Sequence, residues 1–414
     1  MATGAGKSRM AFAKAVQAHR LGYGGMILDA ASVLSTQFIR YLAHIGYPPE
    51  RTLIIDFGTP LLLGTPVFHM LASTPDIAGY KAVEELVRAT VTLSESHSTA
   101  GDRQMDLGRR AFLVLQQADR TLGDIDRFCM DHGFRVNVCK KADPDLERFW
   151  IGYEDLKHKG EYKGSYVDRL PRDSLESLRN KWSGLCLHPL TRPMISSKEN
   201  PIDLFDLMQQ GYWVIVNLSE DHLGEDVQQR VGQLFQCMLK TATIRRQRTT
   251  HRPPFLVLCD EYPQYRSSTT HTSLLRLSRN MNIGLVFLCQ DTAPFTPQEF
   301  FTLTGNCSTL GTGNVSRHDA ESMAGEIFLD NTGSTWRDWE KTKNFSAHDE
   351  LRAYASLIMS LEPGQVIVRV KPSHDAYVVD IPDVEYPPEN LKQEHAFREA
   401  VATHWYASQR SRMW

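Results

Sequence analysis

The sequence predicts an α/β fold: a core with a mostly parallel sheet covered on both faces, plus an inserted all-helical domain. Three observations predict it. Short apolar runs recur between helical stretches, a glycine-rich loop precedes the first helical segment, and from Phe68 to about Pro201 the helical period dominates with no convincing strand. Strands alternating with helices imply a parallel sheet, because each parallel crossover needs a helix's length of chain. At 414 residues there is room for two structural units, domains running to about 100–200 residues each.

In chain order, Ser8–Leu21 spaces Met10, Phe12, Ala13, Val16 and Leu21 at helical intervals. Strands are expected at Met26–Asp29, Thr52–Phe57, Trp213–Leu218, Phe255–Glu261, Ile283–Cys289, Ser308–Thr312, Gln365–Val370 and Ala376–Asp380. The last two, joined by Lys371-Pro372-Ser373-His374, are expected as a hairpin at the sheet edge, where an antiparallel pair is tolerated. Within the insertion, helices are expected over Tyr80–Thr92, Leu107–Ala118, Leu122–Asp131 and Asp173–Leu185. The stretch Lys157–Tyr166 interleaves Lys, His and Tyr with Gly; it is expected as a solvated surface loop, with contact to a DNA backbone or base as the alternative. Asn390–Ser411 is expected as an amphipathic helix carrying Leu391, Phe397, Val401 and Trp405, packed on the domain or a neighbour. The boundaries are then 1–67 and 202–386 for two parts of the core, 68–201 for the insertion and 387–414 for the terminal helix.

Composition narrows the function classes. An apolar fraction of 42% and a charged fraction of 23% suit a globular protein, and a net charge of −3 rules out a globally basic nucleic-acid binder while leaving room for a local basic groove. The seven cysteines are odd in number, scattered and without a C-x-x-C pair, so zinc is not expected and a reducing cytosol suits them. No stretch approaches the roughly 20 apolar residues that span a bilayer.

Residues Ala2-Thr3-Gly4-Ala5-Gly6-Lys7-Ser8 reproduce the second half of G-x-x-x-x-G-K-[ST], with Met1 where the first Gly belongs. Backbone N–H groups of such a loop cradle phosphates, so Thr3, Gly4, Ala5, Gly6, Lys7 and Ser8 are expected to bind a nucleotide. Lys7 would bridge the β and γ phosphates and the Ser8 hydroxyl would hold Mg²⁺. The strand that leads into such a loop would precede Met1, and without it that strand's neighbours stay unpaired.

A second motif supports the first. Phe255–Cys259 is an apolar run ending in Asp260-Glu261, the form of a buried parallel strand that delivers acids to the C-terminal edge of a sheet. Asp260 is expected at the metal, and Glu261 as the group that orients and deprotonates the attacking water. The run Ile283–Cys289 ends in Gln290, expected beside the γ phosphate. Between the two runs, Leu274–Asn280 places Arg276 and Arg279 on a short helix. Either guanidinium fork suits a developing phosphate charge, from its own or a neighbouring subunit.

Together these motifs resemble the FtsK/HerA superfamily of DNA-pumping ATPases, within it the coupling proteins of conjugative type IV secretion (TraD/TraG-like). Further markers are Leu122-Gly123-Asp124, Phe134-Arg135, Asp143-Pro144, Phe149-Trp150, Gly211 with Ile215–Ser219, Leu223-Gly224-Glu225 and Gly305-Asn306. The resemblance implies a RecA-like P-loop NTPase core with a helical insertion between its two motifs, ATP and Mg²⁺ as ligands, and a homo-hexameric ring that hydrolyses ATP at subunit interfaces to move DNA. It also implies relaxase or secretion-channel proteins as partners, and a cytoplasmic location, at the inner membrane where an anchor precedes the chain. By position it makes Lys7, Glu261, Gln290 and Arg279 catalytic, Arg279 acting in trans; Arg276, from its place on the short helix, is expected beside the nucleotide, and Asn280 departs from the family's Lys after the arginine. A secretion ATPase moving protein, or a non-catalytic remnant that docks a partner, are the alternatives.

Overall fold

A computed structural model describes residues 6–58, 67, 68, 71, 83–87, 99–158, 161–198, 202–266, 268–328, 347–373 and 375–410. Its core is a five-stranded, all-parallel sheet in the order β2 (Thr52–Asp56), β5 (Trp213–Asn217), β1 (Gly24–Asp29), β6 (Phe255–Asp260), β7 (Ile283–Phe287). Strands β1, β2 and β5 are buried at every residue, which requires cover on both faces and explains their unbroken apolar runs. Helices Lys7–Arg20 and Val33–His44 turn Phe12, Ala15, Leu34, Phe38 and Leu42 into this core. Gly25 is required where it stands, since a Cβ there would lie 2.3 Å from the Trp213 ring.

The C-terminal helix Leu391–Arg410 covers the β2 edge of the sheet. Trp405 Nε1 donates to Thr52 O at 2.7 Å and Tyr406 Oη to Ile54 O at 3.0 Å, so two carbonyls of the edge strand have side-chain partners. Phe397, Val401 and Tyr406 are buried, whereas Leu391, expected on the same apolar face, is exposed at the helix start.

Two expectations need correction. The hairpin β9 (Gln365–Val370) and β10 (Ala376–Asp380) does not extend the main sheet; with β8 (Thr309–Thr312) it forms a separate antiparallel sheet, order β10-β9-β8. Leu310 and Ile367 of that sheet pack with Ala320, Ala324 and Ile327 of helix Arg317–Phe328 and with Ile358, a second apolar cluster apart from the first. Among the described residues β7 pairs with β6 alone, and β8 with β9 alone.

The insertion is not all-helical. Its helices Thr99–Gln117, Ile125–Met130, His132–Cys139, Pro144–Trp150 and Arg172–Leu187 enclose Phe112, Phe128, Trp150 and Trp182, but β3 (Ile151–His158) and β4 (Glu161–Asp168) form an antiparallel hairpin. Lys157–Tyr166, expected as a loop, is largely this hairpin. At its base Arg135, 3% exposed, forks onto both carboxylate oxygens of Asp168, which stabilises the pairing from below. Residues 83–87 are helical, and the rest of the expected Tyr80–Thr92 helix lies outside the described residues.

Candidate functional site

The parallel register lines up one row of polar residues across the C-terminal edge of the sheet. Asp56 pairs with Asn217, Asn217 with Asp29, and Asp29 with Asp260. Each ends an apolar strand, so the strand interior hides while its last residue meets the loops above. Asp29 is spent on structure: it accepts from Ala31 N at 2.9 Å, Ser35 N at 2.7 Å and Ser35 Oγ at 2.7 Å, which fixes the start of helix Val33–His44. Burial raises its carboxyl above the ordinary range against those hydrogen bonds.

Helix Lys7–Arg20 brings Lys7 to the same edge. Its N-cap is Gly6 at φ 91°, a left-handed conformation that glycine alone adopts without cost, and a Cβ there would lie 2.6 Å from Ile381 Cδ1. Lys7 Nζ pairs with Glu261 Oε1 and lies 3.7 Å from Asp260 Oδ1. Gln290 Nε2 donates to the same Glu261 Oε1 at 2.6 Å. Residues 254 positions apart in sequence thus meet within one buried cluster.

Backbone geometry holds the acids. Glu261 has φ 50°, a left-handed conformation costing a non-glycine residue about 1–3 kcal/mol. It is locked by Tyr262 N to Leu288 O and Leu288 N to Cys259 O, both 3.0 Å, which tie the strand end to the loop after β7. Tyr265 Oη donates to Asp260 O at 2.9 Å and Leu28 O at 3.1 Å. Downstream, Thr292 donates through N and Oγ1 to Asp319 Oδ1, anchoring the loop that carries Gln290 to helix Arg317–Phe328.

Asp260 is fully buried, and burial pushes its carboxyl up to about 6; Lys7 opposes this and the Asp29 and Glu261 charges add to it. Its Oδ2 has no hydrogen-bond partner among the described residues. A buried, unpartnered carboxylate oxygen beside a lysine, a second acid and an amide fits a hard divalent cation between protein and phosphate oxygens. Ser8, the next residue of the same helix, is half-buried.

No family model and no curated protein matches the sequence. Solved structures do match the fold. The bacterial conjugative coupling protein TrwB, unbound, matches at TM-score 0.59 and 12% identity over 95% of this chain and 86% of that one; TrwB with a non-hydrolysable ATP analogue matches at 0.60 and 13% over 94% and 85%. The chain has the fold of TrwB. VirB4 of Thermoanaerobacter pseudethanolicus also matches, at TM-score 0.55 and 12% identity over 93% of this chain and 88% of that chain.

Within this fold, four predicted residues converge: Lys7, Asp260, Glu261 and Gln290. Arg276 and Arg279 do not join them; both are exposed, at the end of helix Ser268–Ser278 and just beyond it. Thr3, Gly4 and Ala5 lie outside the described residues. Several markers prove to be structural. Asp124 closes a capping box with Thr121, Asp143 caps helix Pro144–Trp150, and Gly211 ends helix Leu204–Gln210 at φ 70°. Sequence reasoning missed Asp29 and Asp56 and read Asn217 only as part of the marker Ile215–Ser219; the signal was available, since each closes an apolar strand as Asp260 does. Cys129, Cys139, Cys186, Cys237 and Cys259 are buried, with thiols pushed up to about 12 by burial. Among the described residues no helix is long and apolar enough to cross a membrane.

Proposed function

We propose that this chain is the ATPase of a conjugative or type IV secretion coupling machine, which hydrolyses ATP at the interfaces of a homo-hexamer and moves DNA. One observation carries the catalytic part: Asp260 Oδ2, buried, has no hydrogen-bond partner among the described residues and stands beside Lys7, Glu261 and Gln290 at a helix N-terminus. Lys7 would bind the β and γ phosphates, with Gly6 and the loop residues Thr3, Gly4 and Ala5 around them. Ser8 and Asp260 would hold Mg²⁺, which when bound neutralises phosphate charge as the γ group leaves. Glu261 takes the proton of the attacking water, and Gln290 orients that water against the phosphate. Arg279, exposed past the helix end, suits a residue that reaches a neighbouring subunit's nucleotide, with Arg276 one turn before it.

DNA as cargo rests on the coupling-protein likeness and on the hairpin, where Tyr153 is 60% exposed, its ring 5.3 Å from Tyr166, and Lys140 Nζ lies 3.8 Å from the Tyr166 ring centroid. Such a surface suits base stacking without sequence readout. Steady-state hydrolysis with and without single- and double-stranded DNA tests the whole reading. Turnover should be DNA-stimulated and abolished by Glu261→Gln. DNA-independent turnover in an intact ring would remove DNA as the cargo, and absent turnover would remove the enzyme.

A further inference from the structure

We infer that Lys7 quenches the general base Glu261 until a triphosphate draws the ammonium away, while Gln290 is the positioning residue that keeps hold of the carboxylate. This rests on the ATPase reading of the same cluster. Both residues grip one atom: Lys7 Nζ and Gln290 Nε2 converge on Glu261 Oε1. The Lys7 and Glu261 side chains are each 10% exposed, so water competes weakly for either charge.

Of the three partners, only Lys7 is free to leave. Glu261 is fixed from behind by its left-handed backbone, by its own N–H on Asp260 Oδ1 at 3.1 Å, and by the Tyr262 N and Leu288 N hydrogen bonds on either side. Gln290 rides on a loop pinned two residues later by Thr292 on Asp319. Lys7 carries its charge on a four-carbon stem at the first residue of its helix, where rotamer changes move the ammonium without moving backbone.

The chemistry of the exchange follows. A carboxylate oxygen that already accepts from both an ammonium and an amide has its lone pairs engaged, so it offers none to an attacking water. Polyphosphate offers the ammonium more negative charge than one carboxylate does, so Lys7 transfers to the phosphates. Glu261 is then left with a neutral amide donor and a free lone pair on an unchanged backbone. The base is thus released only when the substrate is in place, and substrate binding must break a buried ion pair to release it.

Two measurements on the full chain test this. A double-mutant cycle on thermal stability without nucleotide, using Lys7→Met, Glu261→Gln and both, should show each single change lowering the midpoint and the pair recovering part of the loss. Titration with a non-hydrolysable ATP analogue and Mg²⁺ should show Glu261→Gln binding at least tenfold tighter than wild type, a difference of about 1.4 kcal/mol. Gln290→Ala should not tighten analogue binding, because it leaves the Lys7 pair intact, and should lower kcat with KM little changed. An additive cycle, or Glu261→Gln binding no tighter than wild type, overturns the inference and leaves the ATPase reading standing. No analogue binding by wild type overturns both.

Discussion

Replacing Arg398 by Met tests how the C-terminal helix holds the core. Arg398 Nη1 donates to Asp56 Oδ2 at 2.5 Å and its Nε to Glu394 Oε1 at 3.0 Å; Glu394 in turn accepts from Arg40 Nε at 2.8 Å. The side chains of Arg398 and Asp56 are 10% and 2% exposed, so this is a buried ion pair. Removing one partner of such a pair typically costs about 3–5 kcal/mol, because the other charge stays desolvated. Here Asp56 Oδ1 keeps its hydrogen bonds from Asn217 Nδ2 at 2.8 Å and Gly58 N at 2.9 Å, and Glu394 keeps Arg40. That places Arg398→Met at the low end, about 3 kcal/mol. Urea unfolding followed by far-UV circular dichroism reads the loss. Adding Asp56→Asn should recover part of it, since the orphaned charge goes too. A loss below about 1 kcal/mol, the size expected of an exposed pair, would refute the reasoning.

Three further outcomes follow from other contacts. Gly232→Ala puts a Cβ 2.5 Å from Tyr265 Cβ, inside helix Glu225–Arg246, so overpacking of about 1–3 kcal/mol should outweigh the gain in helix propensity of about 1 kcal/mol; a thermal melt above wild type would contradict this. Tyr265→Phe removes a hydroxyl shared by Asp260 O and Leu28 O and should cost about 1–3 kcal/mol while loosening the acid pair, seen as a lower melting temperature together with weaker Mg²⁺-dependent nucleotide binding. Asp168 is partly desolvated, yet Arg135 and His132 together hold its carboxyl below the usual range, so the stability it adds is present above about pH 4 and is lost as pH falls through its lower folded value. The melting-temperature gap between wild type and Asp168→Asn should therefore be full at neutral pH and close under acid.

The core was legible because strands buried on both faces read as unbroken apolar runs, and their terminal Asp260-Glu261 and Gln290 stand out against that background. The hairpin β3–β4 was not, because Ile-Gly-Tyr-Glu-Asp-Leu-Lys-His offers no steady apolar alternation and carries a glycine, so only pairing with its partner strand reveals it. Residues β9 and β10 were recognised as a hairpin but assigned to the wrong sheet. Strand periodicity says which face is buried, and nothing about which neighbouring sheet buries it. In the site, sequence supplied Lys7, Asp260, Glu261 and Gln290 as separate candidates. The convergence of Lys7 and Gln290 on one oxygen of Glu261, and the row Asp56, Asn217, Asp29 and Asp260, follow from register between strands far apart in the chain.

Isothermal titration of the chain with ATP, in the presence and absence of Mg²⁺, tests the central claim most directly. The site described here predicts saturable binding that strengthens with Mg²⁺ and is lost in Lys7→Ala. Binding indifferent to Mg²⁺, or unchanged in Lys7→Ala, would contradict it.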